Sequence, residues 1–358
     1  MDNRGLLFIP DISGFTRFVS ETEIEHSRYV IQELLEVLIK SNSLGLQISE
    51  IEGDAILFYK FGEPPALPVL YKQVEEMFCA FHRCLIAYDR RKYCQCAACT
   101  AAVALTLKVI THYGEFTGYQ VQNFNKLIGK DVIVAHQLLK NDIRQHEYWL
   151  VTNNLVADKQ PEGITNWMHW EISNKETETG VIPYHYTLLS ELKEQLPPEP
   201  LEPIVFSDKV KILSLSKEYK TDIILLFHAT GDFSNRSRWQ EGVIKVEEID
   251  HHLPRIGMRS RFLTESGETY IYSSSYYYHP EKIRFSETEE KTGNVTYFTL
   301  ERITNTTTRL TLDLYRKKNF ITEYLPVLAG KNHLKISYQR SLQNLENLLI
   351  EFPHEAHV

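Results

Sequence analysis

The chain has 358 residues, room for two domains of ordinary size. Its 43% hydrophobic and 24% charged content is that of a soluble globular protein and excludes a disordered or fibrous one. A net charge of −8 argues against nucleic acid or an anionic membrane as a general partner.

The stretch Leu6 to Ile9 is predicted as a buried strand that ends in Pro10-Asp11-Ile12-Ser13-Gly14-Phe15-Thr16, a carboxylate followed by a turn and a helix. A carboxylate beside the free N–H groups of a helix start suits a divalent cation and phosphates. A helix from about 21 to 41 carries Val30, Ile31, Leu34, Leu35, Leu38 and Ile39 as an apolar stripe. Two short strands around Gly53-Asp54 put Asp54 at a hairpin tip. A proline-rich loop over 60–68 leads to a second helix over 69–92. Residues 101–113 and 118–128 are predicted as two paired strands joined around Gly114. A third helix over 130–139 and a closing strand over 148–152 follow, giving strands with helices on one face.

Proline density in Leu196-Pro197-Pro198-Glu199-Pro200 and Glu202-Pro203 denies regular structure and predicts a semi-rigid linker over 191–204. Two domains result, 1–190 and 205–358. The second has the order strand, two short helical pieces, six strand-like runs and a long helix over 325–352. No apolar run reaches transmembrane length. Met1 to Gly5 lead straight into a strand without a signal-peptide pattern, so the cytoplasm is the expected compartment.

Asp11 to Thr16 and Gly53-Asp54-Ala55 resemble the two metal-binding motifs of class III nucleotidyl cyclases, in order and in spacing, over about residues 5–155. The resemblance implies an α+β fold with a ferredoxin-like core. It implies that Asp11 and Asp54, with the Ile12 carbonyl, hold Mg²⁺ or Mn²⁺ for in-line phosphoryl chemistry. The N–H groups around Gly14, Phe15 and Thr16 would hold the β and γ phosphates of a nucleoside triphosphate. Class III sites form between two such domains, so a homodimer is implied. The two base-reading positions of the family fall on Glu50 and Lys126. Glu50 suits a guanine edge; alternatively, Glu50 and Lys126 pair with each other and close the base pocket. The family's ribose-orienting Asn and transition-state Arg fall on Ile133 and Gln137, which supply neither role in full. Asn123, Asn125, Lys126 and Lys130 are the nearby candidates to replace them.

The second domain resembles the helix-grip fold of START-like and polyketide-cyclase-type proteins, through its element order and Trp239-Gln240-Glu241-Gly242-Val243. That resemblance implies an apolar small molecule between the sheet and the last helix. Trp239, Tyr270, Tyr272, Tyr276, Tyr277 and Tyr278 either line such a cavity or are ordinary strand aromatics.

All five cysteines lie between Cys79 and Cys99. Cys94, Cys96 and Cys99 fit a zinc site, with Cys79, His82 or Cys84 as fourth ligand, or else they are small buried hydrophobes. At the whole-chain level the sequence resembles an uncharacterised bacterial family. The reading is a degenerate cyclase-like protein that binds Mg²⁺-nucleoside triphosphate or regulates a signalling partner. One alternative is an active cyclase, a phosphorus–oxygen lyase with guanine or pyrimidine preference. The other is a non-enzymatic small-molecule sensor whose N-terminal half only dimerises.

Overall fold

Every residue of β1 (Arg4–Ser13) after Arg4 is buried, as the apolar run Leu6–Ile9 requires of a strand covered on both faces, and the polar Asp11 and Ser13 are buried with it. The structure, a computed structural model, describes residues 3–92, 96–122, 124–156, 161, 164–177, 180–197, 209–248, 256–317 and 328–351. It divides into two units: residues 1–90 with 96–199, and residues 91–95 with 200–358.

In the first unit, β1 is followed by α1 (Phe15–Glu21), α2 (Ile24–Lys40), β2 (Gln47–Glu52), β3 (Ala55–Phe61) and α3 (Leu67–Arg91). Then come α4 (Ala97–Ala101), β4 (Thr106–Glu115), β5 (Thr117–Val121), β6 (Phe124–Ile128) and α5 (Lys130–Leu138). The remainder is β7 (Tyr148–Thr152), α6 (Asn153–Val156), β8 (Glu171–Thr177), β9 (Gly180–Leu188) and α7 (Ser190–Glu194). The sheet order is β2-β3-β1-β4-β7-β9-β8, antiparallel except between β4 and β7.

Helices cover both faces of this sheet, where the sequence predicted one. Leu7 and Ile9 pack with Val132, Ala135 and Leu138 of α5. On the opposite face Trp149 meets Tyr71 of α3, ring centroids 6.1 Å apart. Asp131 ties α5 to β4: its carboxylate accepts from the Glu115 N–H at 2.7 Å and lies 2.9 Å from His112 Nε2. Burial pushes the Asp131 carboxyl up, and these bonds more than offset that and hold it below its ordinary range.

Three local expectations are corrected. Residues 118–128 do not pair with β4; β5 and β6 form their own two-stranded ribbon. The segment before β4 is helical, as α4 and a 3₁₀ turn over Ala102–Ala104. The first stretch of the expected linker is α7, since its prolines begin only at Pro197; residues 198–208 lie outside the described set. The strands β8 and β9, which widen the sheet, were not foreseen.

The second unit has β10 (Lys209–Tyr219), α8 (Ile223–Gly231), α9 (Arg236–Trp239), β11 (Val243–Glu248), β12 (Arg259–Thr264) and β13 (Gly267–His279). It ends with β14 (Lys282–Glu289), β15 (Val295–Thr304), β16 (Thr307–Lys317) and α10 (Leu328–Glu351). Its seven strands make one antiparallel sheet, order β10-β16-β15-β14-β13-β12-β11. Leu342, Leu345, Leu348 and Leu349 of α10 join Phe285, Phe298, Leu310 and Leu312 in its core. Inside it, Arg236 forms a bidentate pair with Glu287, both nearly fully buried. The guanidinium also donates to Thr230 O and stacks 4.9 Å from the Trp239 ring.

Two stability measurements follow from these buried polar groups. Arg236→Met strands the Glu287 carboxylate and should cost about 3–5 kcal/mol in urea denaturation. The double replacement with Glu287→Leu should recover most of it, and a single-variant loss below about 1 kcal/mol would refute the pairing. In the first unit, burial together with Lys193 pushes His82 down to about 4. The unfolded chain binds that proton near pH 6.5, so stability should fall as pH drops from about 6.5 toward 4. Urea midpoints at pH 7.5 and 5 should therefore differ less in His82→Gln than in the parent protein.

Candidate functional site

The β1–β3 ladder runs from Gly5–Phe61 to Phe8–Phe58 and resumes at Asp11–Ala55. Pro10, with no N–H to give, lies in the interval. The Ile12 N–H then donates to Asp54 O at 3.1 Å, which docks the hairpin tip against the end of β1. Gly53 takes φ +62° at that tip, and Gly14 takes φ +92° at the start of α1. Both are left-handed conformations that glycine adopts without strain.

A cleft of about 870 Å³ opens here. Asp11, Ile12, Gly14, Phe15, Thr16 and Asp54 all line it, so the two motifs meet in one place. Burial raises the carboxyl of Asp54 to about 6, and the charge of Asp11 adds to the rise. Burial also raises Asp11, against the pull of Lys108. Two carboxyls in this setting resist being ionised together, and a cation relieves both.

One cation is already built in. Asp11 faces Lys108 across the β1–β4 ladder, and Lys108 Nζ lies 3.2 Å from Asp11 Oδ1. Lys108 also donates to Leu139 O at 3.3 Å. Nothing in the sequence marks this lysine, because its role depends on which strand lies beside β1. The donor set still fits a divalent cation: two carboxylates and a backbone carbonyl are hard oxygen ligands.

Ile133 and Gln137 line the same cleft. Ile133 is 54% exposed and offers no polar atom. Gln137 Oε1 and Ser13 Oγ are buried and have no hydrogen-bond partner among the described residues, which leaves two polar atoms in the lining for a ligand to satisfy. Glu50 and Lys126 form an ion pair with each other. His136 adds to it, Nε2 3.5 Å from Glu50 and Nδ1 3.8 Å from Glu52. Of the candidates to replace the missing Asn and Arg, Asn123 and the Asn125 side chain lie outside the described set. Lys126 is engaged with Glu50, and Lys130 does not line the cleft. Lys108 and Lys140 do, at positions that sequence spacing does not single out.

In the second unit a cavity of about 260 Å³ lies among Arg236, Trp239, Glu287, Thr296, Phe298 and Tyr338. Its wall carries the buried ion pair, so the lining is mixed where an apolar one was expected. Of the six aromatics singled out, Trp239 lines it among the described residues. Tyr277 and Tyr278 are exposed on β13. Tyr270 stacks against Arg259 at 4.6 Å.

Cys96 and Cys99 come together, while Cys94 lies outside the described residues. The proposed fourth ligands do not join them. Cys79 is buried on α3, Cys84 contacts Glu33, and His82 faces Thr106. Among the described residues, the group that joins both is His26, seventy residues before Cys96.

A family described as "Protein of unknown function (DUF2652)" matches residues 31–148. The Uncharacterized protein Rv2561/Rv2562 of Mycobacterium tuberculosis is 28% identical over 141 residues, 37% of this chain and 61% of that one. The chain thus spans less than two thirds of that relative's length. Solved structures with similarity include the catalytic core of a rhodopsin-guanylyl cyclase with converted specificity, in complex with ATPalphaS. It is 15% identical, with a TM-score of 0.37, over 52% of this chain and 95% of that one. The guanylate cyclase domain of RhGC from Catenaria anguillulae, in complex with GTP, is also 15% identical. Its TM-score is 0.36, over 52% of this chain and 96% of that one. Among the described residues, no helix is long and apolar enough to cross a membrane.

Lys108→Met removes the cation beside Asp11 and should lower stability by about 2–3 kcal/mol in metal-free buffer. Millimolar Mg²⁺ should restore more of the melting temperature in this variant than in the parent protein. Equal Mg²⁺ responses in the two proteins would contradict the role given to Lys108.

Proposed function

We propose that the first unit binds a metal–nucleoside triphosphate in the Asp11–Asp54 cleft and does not cyclise it at a useful rate. The observation that carries this is the convergence of Asp11, Asp54 and the Gly14 turn on one cleft. Asp11, Asp54 and the Ile12 carbonyl would hold a divalent cation, and the backbone N–H groups at Gly14 to Thr16 would hold phosphate oxygens. When bound, the cation supplies Lewis-acid charge to the phosphates.

The chain's own residues limit the chemistry. Ile133 cannot orient a ribose hydroxyl. Gln137 offers an amide where a cationic donor would carry charge from the transferring phosphate. Losing one such donor typically costs about 10²–10³ in rate. Glu50 spends its carboxylate on Lys126 and His136, which leaves the base-reading position closed. Lys108 supplies part of the charge that metals would otherwise bring, which favours a regulator over a catalyst.

In this reading two such units pair, and the second unit, a START-like helix-grip domain, holds a small molecule in its 260 Å³ cavity. The mixed lining supports a ligand with a polar group facing Arg236 and Glu287.

Calorimetry with the four nucleoside triphosphates tests the site. Binding should require Mg²⁺ or Mn²⁺ and should fall at least tenfold in Asp54→Ala, while cyclic products stay near background. Robust product formation that depends on Asp11 would overturn the claim about activity. Absence of binding by any of the four would overturn the site and leave a scaffold. Light scattering on the same samples should show a dimer at tens of micromolar.

A further inference from the structure

The start of α2 and the start of α4 are joined by polar contacts that the nucleotide cleft does not use. Glu23, just before α2, accepts the Ala97 N–H at 3.2 Å and the Ala98 N–H at 3.0 Å. One carboxylate thereby caps a helix that begins seventy-four residues later. On the next turn of α2, His26 Nδ1 lies 3.3 Å from Cys96 Sγ and 3.4 Å from Cys99 Sγ. Cys99 is fully buried, and its N–H points to Cys96 Sγ at 3.4 Å.

These spacings match a metal centre. With zinc–nitrogen and zinc–sulfur bonds of ordinary length, tetrahedral geometry puts nitrogen and sulfur about 3.5 Å apart. The three ligand atoms all lie within 4.8 Å of one another. One imidazole and two thiols form a borderline-to-soft donor set, which selects zinc over magnesium or calcium.

We propose that His26, Cys96 and Cys99 bind one zinc ion, which staples the start of α2 to the turn that carries α4. The staple closes a loop of seventy residues, the kind of long closure that stabilises most by restricting the unfolded chain. Its setting gives it a second effect. Beyond α4 the 3₁₀ turn leads to Leu105, which lies against the Gly14 position, so the stapled segment backs the turn at the cleft. The site is separate from the carboxylate cleft and stands whether or not a nucleotide binds there.

Elemental analysis of untagged full-length protein from zinc-supplemented growth should find about one zinc per chain, falling to about a tenth in His26→Ala and in Cys99→Ser. If either variant fails to fold, cobalt titration of metal-stripped parent protein decides. It should give a thiolate-to-cobalt charge-transfer band and the visible bands of a tetrahedral site, both lost on adding excess zinc. The melting temperature of the parent protein should fall on stripping and recover with zinc. Three results would overturn the proposal: metal-free parent protein that binds no cobalt, zinc retained at full stoichiometry in folded variants, or a Cys96–Cys99 disulfide by mass spectrometry in protein prepared with reductant.

Discussion

Asp11 sits where three constraints meet, and the first unit is arranged around it. It lies near the end of a strand buried on both faces, so its carboxylate is largely removed from water. A buried charge needs a partner. Lys108 supplies one through the β1–β4 register, at 3.2 Å. On the other side, the β1–β3 pairing brings Asp54 to the same cleft and adds a like charge. The site is therefore a balance between one built-in cation and two carboxyls.

Binding and turnover make different demands on such a site. Carboxylates, a backbone carbonyl and exposed helix-start N–H groups suffice to hold a metal–phosphate group. Acceleration needs charge placed where it develops in the transition state. From α5, Val132, Ile133, His136 and Gln137 line the cleft, and the His136 ring lies beside Glu50 and Glu52 there. On α5, then, His136 turns toward the β2–β3 hairpin and Asp131 toward β4, while the Gln137 amide oxygen stays open to the cleft.

The second unit meets the same electrostatic rule differently. Its antiparallel sheet and α10 pack aliphatic and aromatic side chains in a continuous core. One charged pair, Arg236–Glu287, sits inside that core, with the guanidinium stacked on Trp239 and bonded to Thr230 O. Such a pair adds little net stability, but each half is costly to leave alone. It gives the remaining cavity a polar wall that an all-apolar strand pattern does not foretell.

Local pattern was enough for the elements with strong periodicity: β1, the β2–β3 hairpin, α2, α3, α5, and the run of strands ending in α10. It also placed Asp11, Gly14 and Asp54 as candidates, because the turn chemistry around them is written in adjacent residues. The Glu50–Lys126 pair was one of two readings that the sequence left open, and the structure has that pair. Other features rest on pairings between distant segments. Lys108 matters only because β4 lies beside β1 in a register that sets it opposite Asp11. His26 reaches Cys96, seventy residues on, only because α2 and α4 start at the same place. Residues 118–128 form their own ribbon where the sequence suggested a partner for β4, since hairpin propensity names a turn and not a neighbour. Single-residue spacing encodes which face a side chain takes, but only the assembled sheet decides what stands across from it.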